Sequence, residues 1–399
     1  MKNLYYDVVI AGCGVAGLYT ALQLPDNLKI LMLSKEDLES CDSMLAQGGI
    51  CVLYDEEDYD DFFEDTLRAG HYENRKESVD IMIRYSREII NHLLELGVRF
   101  EKNSDGSLAY TKEGAHSRPR ICFHKDITGK EITTTLLSHV KQLPNVTILE
   151  YTTMTDILVS EGKCTGIIAE TKDGDGLHIY AEDTVMATGG IGGLYEHSTN
   201  YPCLTGDACR IAGKHGVELE HMDYVQIHPT CLYSEKPGRS FLISESARGE
   251  GAIILNHKGE RFVNELLPRD IVTKAIHEEM EREGVAHEFL SFEHVPEETI
   301  QYHFPNIYQK CLEEGYDILK EPIPIVPAQH YFMGGVHVDS DSKTTMPHLY
   351  AVGETSCNGV HGKNRLASNS LLESLVFAKR AAAHIIHTKN TNSKEEKLS

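Results

Sequence analysis

The stretch YDVVIAGCGVAGLYTALQL, Tyr6–Leu24, decides the fold. It opens with a short β-rich apolar run, turns through Gly12, Gly14 and Gly17, and continues with apolar residues at helical intervals. DNLKILMLSK, Asp26–Lys35, follows as a second apolar strand. Strand, glycine turn, helix and strand in this order read as a βαβ unit with its strands parallel. In the Gly12-x-Gly14-x-x-Gly17 spacing the first glycine permits a tight turn, the second lets backbone approach a pyrophosphate, and the third lets helix pack on strand. Phosphates favour such a helix start because free N–H groups and the helix dipole attract negative charge. The whole turn, Gly12, Cys13, Gly14, Val15, Ala16 and Gly17, is therefore a candidate dinucleotide cradle. One departure stands out. Where an acidic residue often ends the second strand to hold a ribose, this chain has Ser34-Lys35.

The chain has 399 residues, 41% hydrophobic and 25% charged, which suits a globular protein of two or three domains. Lys plus Arg number 38 against 61 Asp plus Glu, for a net charge of −23. That balance argues against nucleic acid or an anionic membrane as partner. No apolar run approaches the ~18 residues of a membrane span. Ten cysteines form no CxxC pair, so neither a zinc nor an iron–sulfur site is expected, and the thiols read as reduced, in a cytoplasmic setting.

Helical patterns follow at 60–69 and 78–96. Residues 145–159 and 163–172 read as antiparallel strands, and Asp183–Ala187 as a buried one. From about His221 the texture becomes richer in charge and histidine, with helices expected at Ile271–Arg282 and Ile307–Glu314. The expected fold is α/β, a Rossmann-like dinucleotide-binding domain with an inserted α+β capping domain. The dinucleotide-binding part would span 1–221 and 332–387, the cap 222–331, and 388–399 would form a disordered tail. HGKNRLASNSLLESLVFAKRAAA, His361–Ala383, reads as an amphipathic helix from Ser368 onward, with Lys363 and Arg365 in its lead-in. Cations clustered in an acidic protein point to an anion at that helix start.

Flavin is preferred over nicotinamide on two further signals. ATGG, Ala187–Gly190, follows a strand in the manner of a second dinucleotide contact, and LYAVGE, Leu349–Glu354, ends a late strand on an acidic residue. A family resemblance then becomes specific. SMLAQGGI (Ser43–Ile50), EGAHSRPRI (Glu113–Ile121), TGDACRIAG (Thr205–Gly213), QIHPT (Gln226–Thr230), ESARGEGA (Glu245–Ala252), LPRDIV (Leu267–Val272), PAQHYFMGGV (Pro327–Val336) and HGKNRLASNSL (His361–Leu371) occur in this order. The set resembles the fumarate reductase/succinate dehydrogenase flavoprotein family, over almost the whole chain to about residue 387.

The resemblance implies FAD bound by Gly12–Gly17, Lys35, Asp42, Ser43, Ala46, Gln47, Gly48, Gly49, Asp207, Glu354, Ser370 and Leu371. Members that attach FAD covalently use a histidine five positions before the glutamine of AQGG. Asp42 stands there, so non-covalent FAD is implied. Substrate carboxylates would meet His228, His330, Arg365, Ser244 and Gln226, and Arg365 suits a two-pronged carboxylate clamp. Arg269 matches the family's proton-exchanging arginine, and Glu245 and Arg248 match its proton relay, although at i,i+3 they also read as a helical salt bridge. Glu113 matches a carboxylate that lies near a substrate amino group in the aspartate-oxidising branch. That branch implies oxidation of L-aspartate to iminoaspartate, the first step toward quinolinate and NAD, with flavin reoxidised by oxygen or fumarate and quinolinate synthase as a partner.

Two other readings remain open at this level. A soluble fumarate reductase would use the same anchors in reverse. A catalytically silent FAD-binding subunit would have no reason to keep Arg269, Arg365, His228 and His330.

Overall fold

The computed structural model describes residues 2–236 and 238–396. Among these, the larger sheet has seven strands. Six lie in the order β3-β2-β1-β6-β5-β4, where β1 is Lys2–Ala11, β2 Ile30–Leu33, β3 Val146–Leu149, β4 Thr152–Ser160, β5 Lys163–Thr171 and β6 Gly176–Met186. The seventh, Leu349–Ala351, pairs with β6. β1 runs parallel to β2 on one side (Val8 opposite Ile30) and to β6 on the other (Val8 opposite Asp183).

Alternation along β1 explains the layers. Val8 and Ile10 pack into one core with the helices α1 (Val15–Gln23) and α3 (Asn369–Glu396), whereas Val9 and Ala11 enter a second core on the opposite face. The expected antiparallel strand over 145–159 is two strands. Tyr151 takes a left-handed turn (φ 52°), so Val146–Leu149 extends the parallel edge and only Thr152–Ser160 pairs antiparallel with β5.

A second sheet of five strands, with its own core, stands over the first. Its order is β8-β7-β11-β10-β9, where β7 is Val225–Leu232, β8 Phe241–Leu242, β9 Ile253–Leu255, β10 Glu288–Ser291 and β11 Ile323–Phe332. Helix α2, Arg269–Glu283, packs on it and begins two residues earlier than expected, capped by Pro268. Proline suits the entry because it needs no amide partner there.

Two expectations for the C-terminal segment are corrected. The helix that starts at Asn369 is not amphipathic over its first turns: Leu371, Leu372, Glu373, Ser374, Leu375, Val376, Phe377 and Ala378 are all buried. It packs into the core on every side, with Glu373 and Ser374 the polar exceptions there. The tail expected to be disordered continues this helix to Glu396, since no Gly or Pro interrupts it. Residues 397–399 lie outside the described residues.

Candidate active site

One continuous cleft, enclosing about 1660 Å³ with its mouth included, runs from the glycine turn to the second sheet. At its far end it is lined by Gly12–Ala16, Lys35, Asp42, Ser43 and Asp207, and in the middle by Ala46–Gly49, Glu354, Ser370 and Leu371. Nearest the second sheet it meets Glu113, His228, Ser244, Glu245, Arg269, His330 and Arg365. Gly17 lies just outside the lining. A Cβ there would fall 2.1 Å from the Gly12 carbonyl oxygen, so its absence lets α1 pack onto the turn. Gly12 has φ +124°, and a Cβ on it would strike the Ala187 carbonyl at 1.9 Å. Ser43 Oγ accepts from the Val15 N–H at 3.1 Å and fixes the start of α1 against residues 42–49.

Lys35 departs from a simple ribose contact. Its ammonium donates to Cys203 O (2.9 Å), Thr205 Oγ1 (2.9 Å) and Asp207 Oδ2 (2.8 Å), so all three donors are engaged within the protein. Lys35 fastens the 203–207 loop along the cleft, and Asp207 is its counter-charge.

The residues fit FAD. Asp42 Oδ2, Gln47 Oε1 and Asn200 Oδ1 are buried on the cleft wall with no protein partner, which suits a long ligand with polar edges. Burial pushes Asp42 up to about 7, and burial together with Asp42 pushes Glu354 up to about 8. Glu354 accepts from the Phe332 N–H at 2.9 Å.

At the cap end the cations are set by neighbours. Arg269, the first residue of α2, donates from Nε to Glu245 and from Nη1 to Gln226 Oε1 at 2.8 Å. Gln226 does not line the cleft. Its Nε2 donates to Asn364 Oδ1 at 2.9 Å and to the Arg365 carbonyl at 2.8 Å, so it positions both arginines from behind. Arg248 is likewise absent from the wall. It donates to the Glu265 carbonyl (2.6 Å) and stands 3.3 Å from Glu245 Oε2. The i,i+3 pair therefore exists, and it backs the face of Glu245 that meets Arg269. Burial works against ionisation of Glu245, but Arg269 and Arg248 overcome it and hold the carboxyl below its ordinary range.

Glu113 has different partners. Ser246 Oγ donates to one oxygen at 2.9 Å and Ser368 Oγ to the other, and no cation is paired with it among the described residues. Burial and then Glu245 raise its pKa. Gly48 makes room: a Cβ there would lie 2.3 Å from Glu113 Oε1. Ser246 falls inside a recognised motif, yet a small hydroxyl carries no periodic or charge signal and the sequence reading passed over it, whereas Ser368 was read only as part of the polar lead-in to the last helix.

Arg365 is buried, donates to Ser370 Oγ at 2.8 Å, and keeps Nε without a partner; burial and the nearby Arg269 lower its pKa to about 10. Of the two lead-in cations only Arg365 enters the cleft, because Lys363 is exposed. The His228 and His330 rings lie 5.2 Å apart. His228 Nδ1 accepts from the Thr230 N–H at 3.2 Å, which leaves Nε2 as the N–H end, buried and unpartnered. Burial and the nearby arginines press both histidines well below their ordinary pKa, so they face the cleft as neutral rings. Ser244 caps the short helix Glu245–Gly249 and also faces the cleft. The end of the cleft thus offers two guanidinium groups, neutral imidazoles and a hydroxyl, with one carboxyl free of any cation.

A mixed sheet with a parallel centre, a glycine turn after its central strand β1 and a long cleft over that turn define the class of protein. The model of the FAD binding domain family matches residues 7–371, and the cofactor is FAD. The chain belongs to the fumarate reductase/succinate dehydrogenase flavoprotein family, in its L-aspartate oxidase branch. It is 53% identical to an L-aspartate oxidase of Clostridium perfringens over 95% of this chain and 86% of that one, and 47% identical to one of Clostridium acetobutylicum over 99% and 91%. Among solved structures it is similar to the E. coli quinol fumarate reductase subunit FrdA, with TM-score 0.90 and 32% identity over 96% of this chain and 70% of that one. No helix among the described residues is long and apolar enough to cross a membrane, and no group of His, Cys, Asp or Glu among them could hold a metal ion.

Proposed function

We propose that this protein oxidises L-aspartate to iminoaspartate, the entry reaction to quinolinate and NAD, with non-covalently bound FAD as immediate electron acceptor and oxygen or fumarate as the terminal one. The observation that carries the choice of substrate is Glu113. Glu245, the other carboxyl near it, is neutralised by Arg269 and Arg248, whereas Glu113 is held by two hydroxyls and no cation. An ammonium group completes that environment, and a plain dicarboxylate does not.

FAD, once bound along Gly12–Gly17, Asp42–Gly49, Glu354 and Ser370–Leu371, supplies acceptance of two electrons from the substrate Cα. The residues of the chain do the rest. Arg365 clamps one substrate carboxylate, and His228 Nε2, His330 and Ser244 meet the other carboxylate oxygens. An unpaired carboxylate would be costly to desolvate here, which is why donors stand at both ends. Glu113 takes the ammonium proton as the imine forms. Arg269, gripped by Glu245 and Gln226, exchanges a proton with substrate carbon when fumarate is reduced, and Arg248 supports that relay through Glu245. The cap excludes water over the reacting atoms. Imines hydrolyse in water, so quinolinate synthase is the proposed consuming partner, and the cytoplasm the proposed compartment.

A fumarate-reducing reading is favoured by the likeness to FrdA and by the same anchors. Anaerobic titration of the yellow holoprotein with L-aspartate, with succinate in parallel, separates the two. Bleaching of the flavin by L-aspartate and not by succinate is the expected result. Oxidised flavin in aspartate, with reduced enzyme discharged by fumarate, overturns it.

A further inference from the structure

We propose that Tyr331 holds Arg365 in position for the substrate carboxylate, and that it does so with the face of its ring and not with its hydroxyl. This inference deepens the proposed function and rests on that reading of the cleft.

Arg365 is 5% exposed, and no carboxylate is ion-paired with it among the described residues. Glu354 and Glu113 favour its charge from beyond contact distance, and a buried guanidinium with no carboxylate in contact gains from a closer source of stabilisation before substrate arrives. The Tyr331 ring supplies one: Arg365 Cζ lies 4.6 Å from its centroid, within the range of cation–π attraction. Behind Tyr331 stands His361, edge-on, with ring centroids 5.4 Å apart at 87°. Burial and Arg365 keep His361 neutral, so the ring is backed by an uncharged wall that does not repel the cation.

The strand pairing brings both side chains to the same arginine. Tyr331 on β11 stands directly opposite Gln226 on β7. Gln226 holds the Arg365 backbone carbonyl, and Tyr331 meets its guanidinium, so one cross-strand pair fixes the arginine at both ends. Tyr331 also follows His330 directly and lines the same cleft. Its hydroxyl makes no hydrogen bond among the described residues, which separates ring from hydroxyl in a test.

The holoenzyme variants Tyr331→Phe and Tyr331→Leu answer the question, with Tyr331→Met in place of the leucine variant if that one does not retain FAD. KM and kcat are measured with L-aspartate, and the dissociation constant of succinate is read from its perturbation of the flavin spectrum. The phenylalanine variant is expected within about twofold of wild type throughout, since the ring face is kept. Loss of the ring is expected to raise both KM and the succinate constant about tenfold, with kcat within about twofold. Unchanged constants without the ring overturn the proposal, as does a phenylalanine variant as impaired as the leucine one, which would move the role to the hydroxyl. A wild-type flavin unmoved by either L-aspartate or succinate overturns the functional reading itself. A responsive wild type matched by the leucine variant overturns only the role of Tyr331.

Discussion

Gln226 and Arg269 are joined by a 2.8 Å hydrogen bond from guanidinium Nη1 to amide Oε1, and Gln226 touches no part of the cleft. Its role is to aim the arginine. Replacing Gln226 with Leu leaves Arg269 held by Glu245 alone and frees the Arg365 carbonyl. Expected is a fall of about 100-fold in kcat/KM for fumarate reduction, the direction in which Arg269 meets the reacting carbon, with FAD content unchanged, because a displacement of about 1 Å at the reacting atoms costs that much. Steady-state kinetics beside flavin quantification checks it.

Glu113→Gln separates the two reactions of this cleft. The amide cannot take a proton from the ammonium group, so L-aspartate oxidation is expected to drop about 100-fold or more, with fumarate reduction largely kept. The pH profile follows from the raised pKa of Glu113. Its carboxyl must be ionised to act, so wild-type oxidation is lost as pH falls, beginning above the ordinary carboxylate range. An acid limb that persists unchanged in the glutamine variant would count against Glu113.

Arg120 underpins the loop that carries Glu113. It is fully buried and donates to Asp58, to Asp65 (2.7 Å), to His116 Nδ1 (3.0 Å) and to Ser117 Oγ (3.2 Å), and His116 in turn reaches the Ala367 carbonyl at 3.0 Å. Arg120→Met leaves Asp58 and Asp65 buried without this partner. A loss of about 3–5 kcal/mol in urea unfolding is expected, larger than any surface arginine gives.

Glu373 gives a pH test of stability. Burial raises its pKa from 4.5 to about 7, against a hydrogen bond from Asn358. Between those values the folded state holds a proton that the unfolded chain releases, so stability falls as pH rises through this window. Glu373→Gln removes the ionisation. The variant is expected to exceed wild type by about 3 kcal/mol near pH 8, with the gap closing near pH 4. Thermal unfolding across that range measures it.

The glycine turn, the βαβ unit and the ordered motifs were legible because each writes a local pattern: fixed spacing, apolar period or an uncommon residue string. The cleft does bring together most of the residues those motifs nominated, from Gly12 to Leu371. Gln226 was read as a substrate contact and Arg248 as a relay partner of Glu245, and neither lines the cleft, because a motif names a neighbourhood and not the side from which a residue acts. Tyr331, Ser246 and Arg120 lay inside the same strings and were passed over, and Ser368 was read as part of an anion-binding lead-in and not as a partner of Glu113. Their roles are partnerships with residues up to 255 positions away, as Glu113 and Ser368 are.

The sequence by itself determined the parallel βαβ unit, the dinucleotide turn and the chemical character of the site, since those follow from local pattern and residue type. Only the tertiary structure decided which carboxyl keeps a cation and which does not. Glu245 and Glu113 read alike along the chain, but Glu245 meets Arg269 and Arg248 while Glu113 meets two serines. Burial and charge pairing depend on what the fold brings within a few ångströms, and no local pattern carries that.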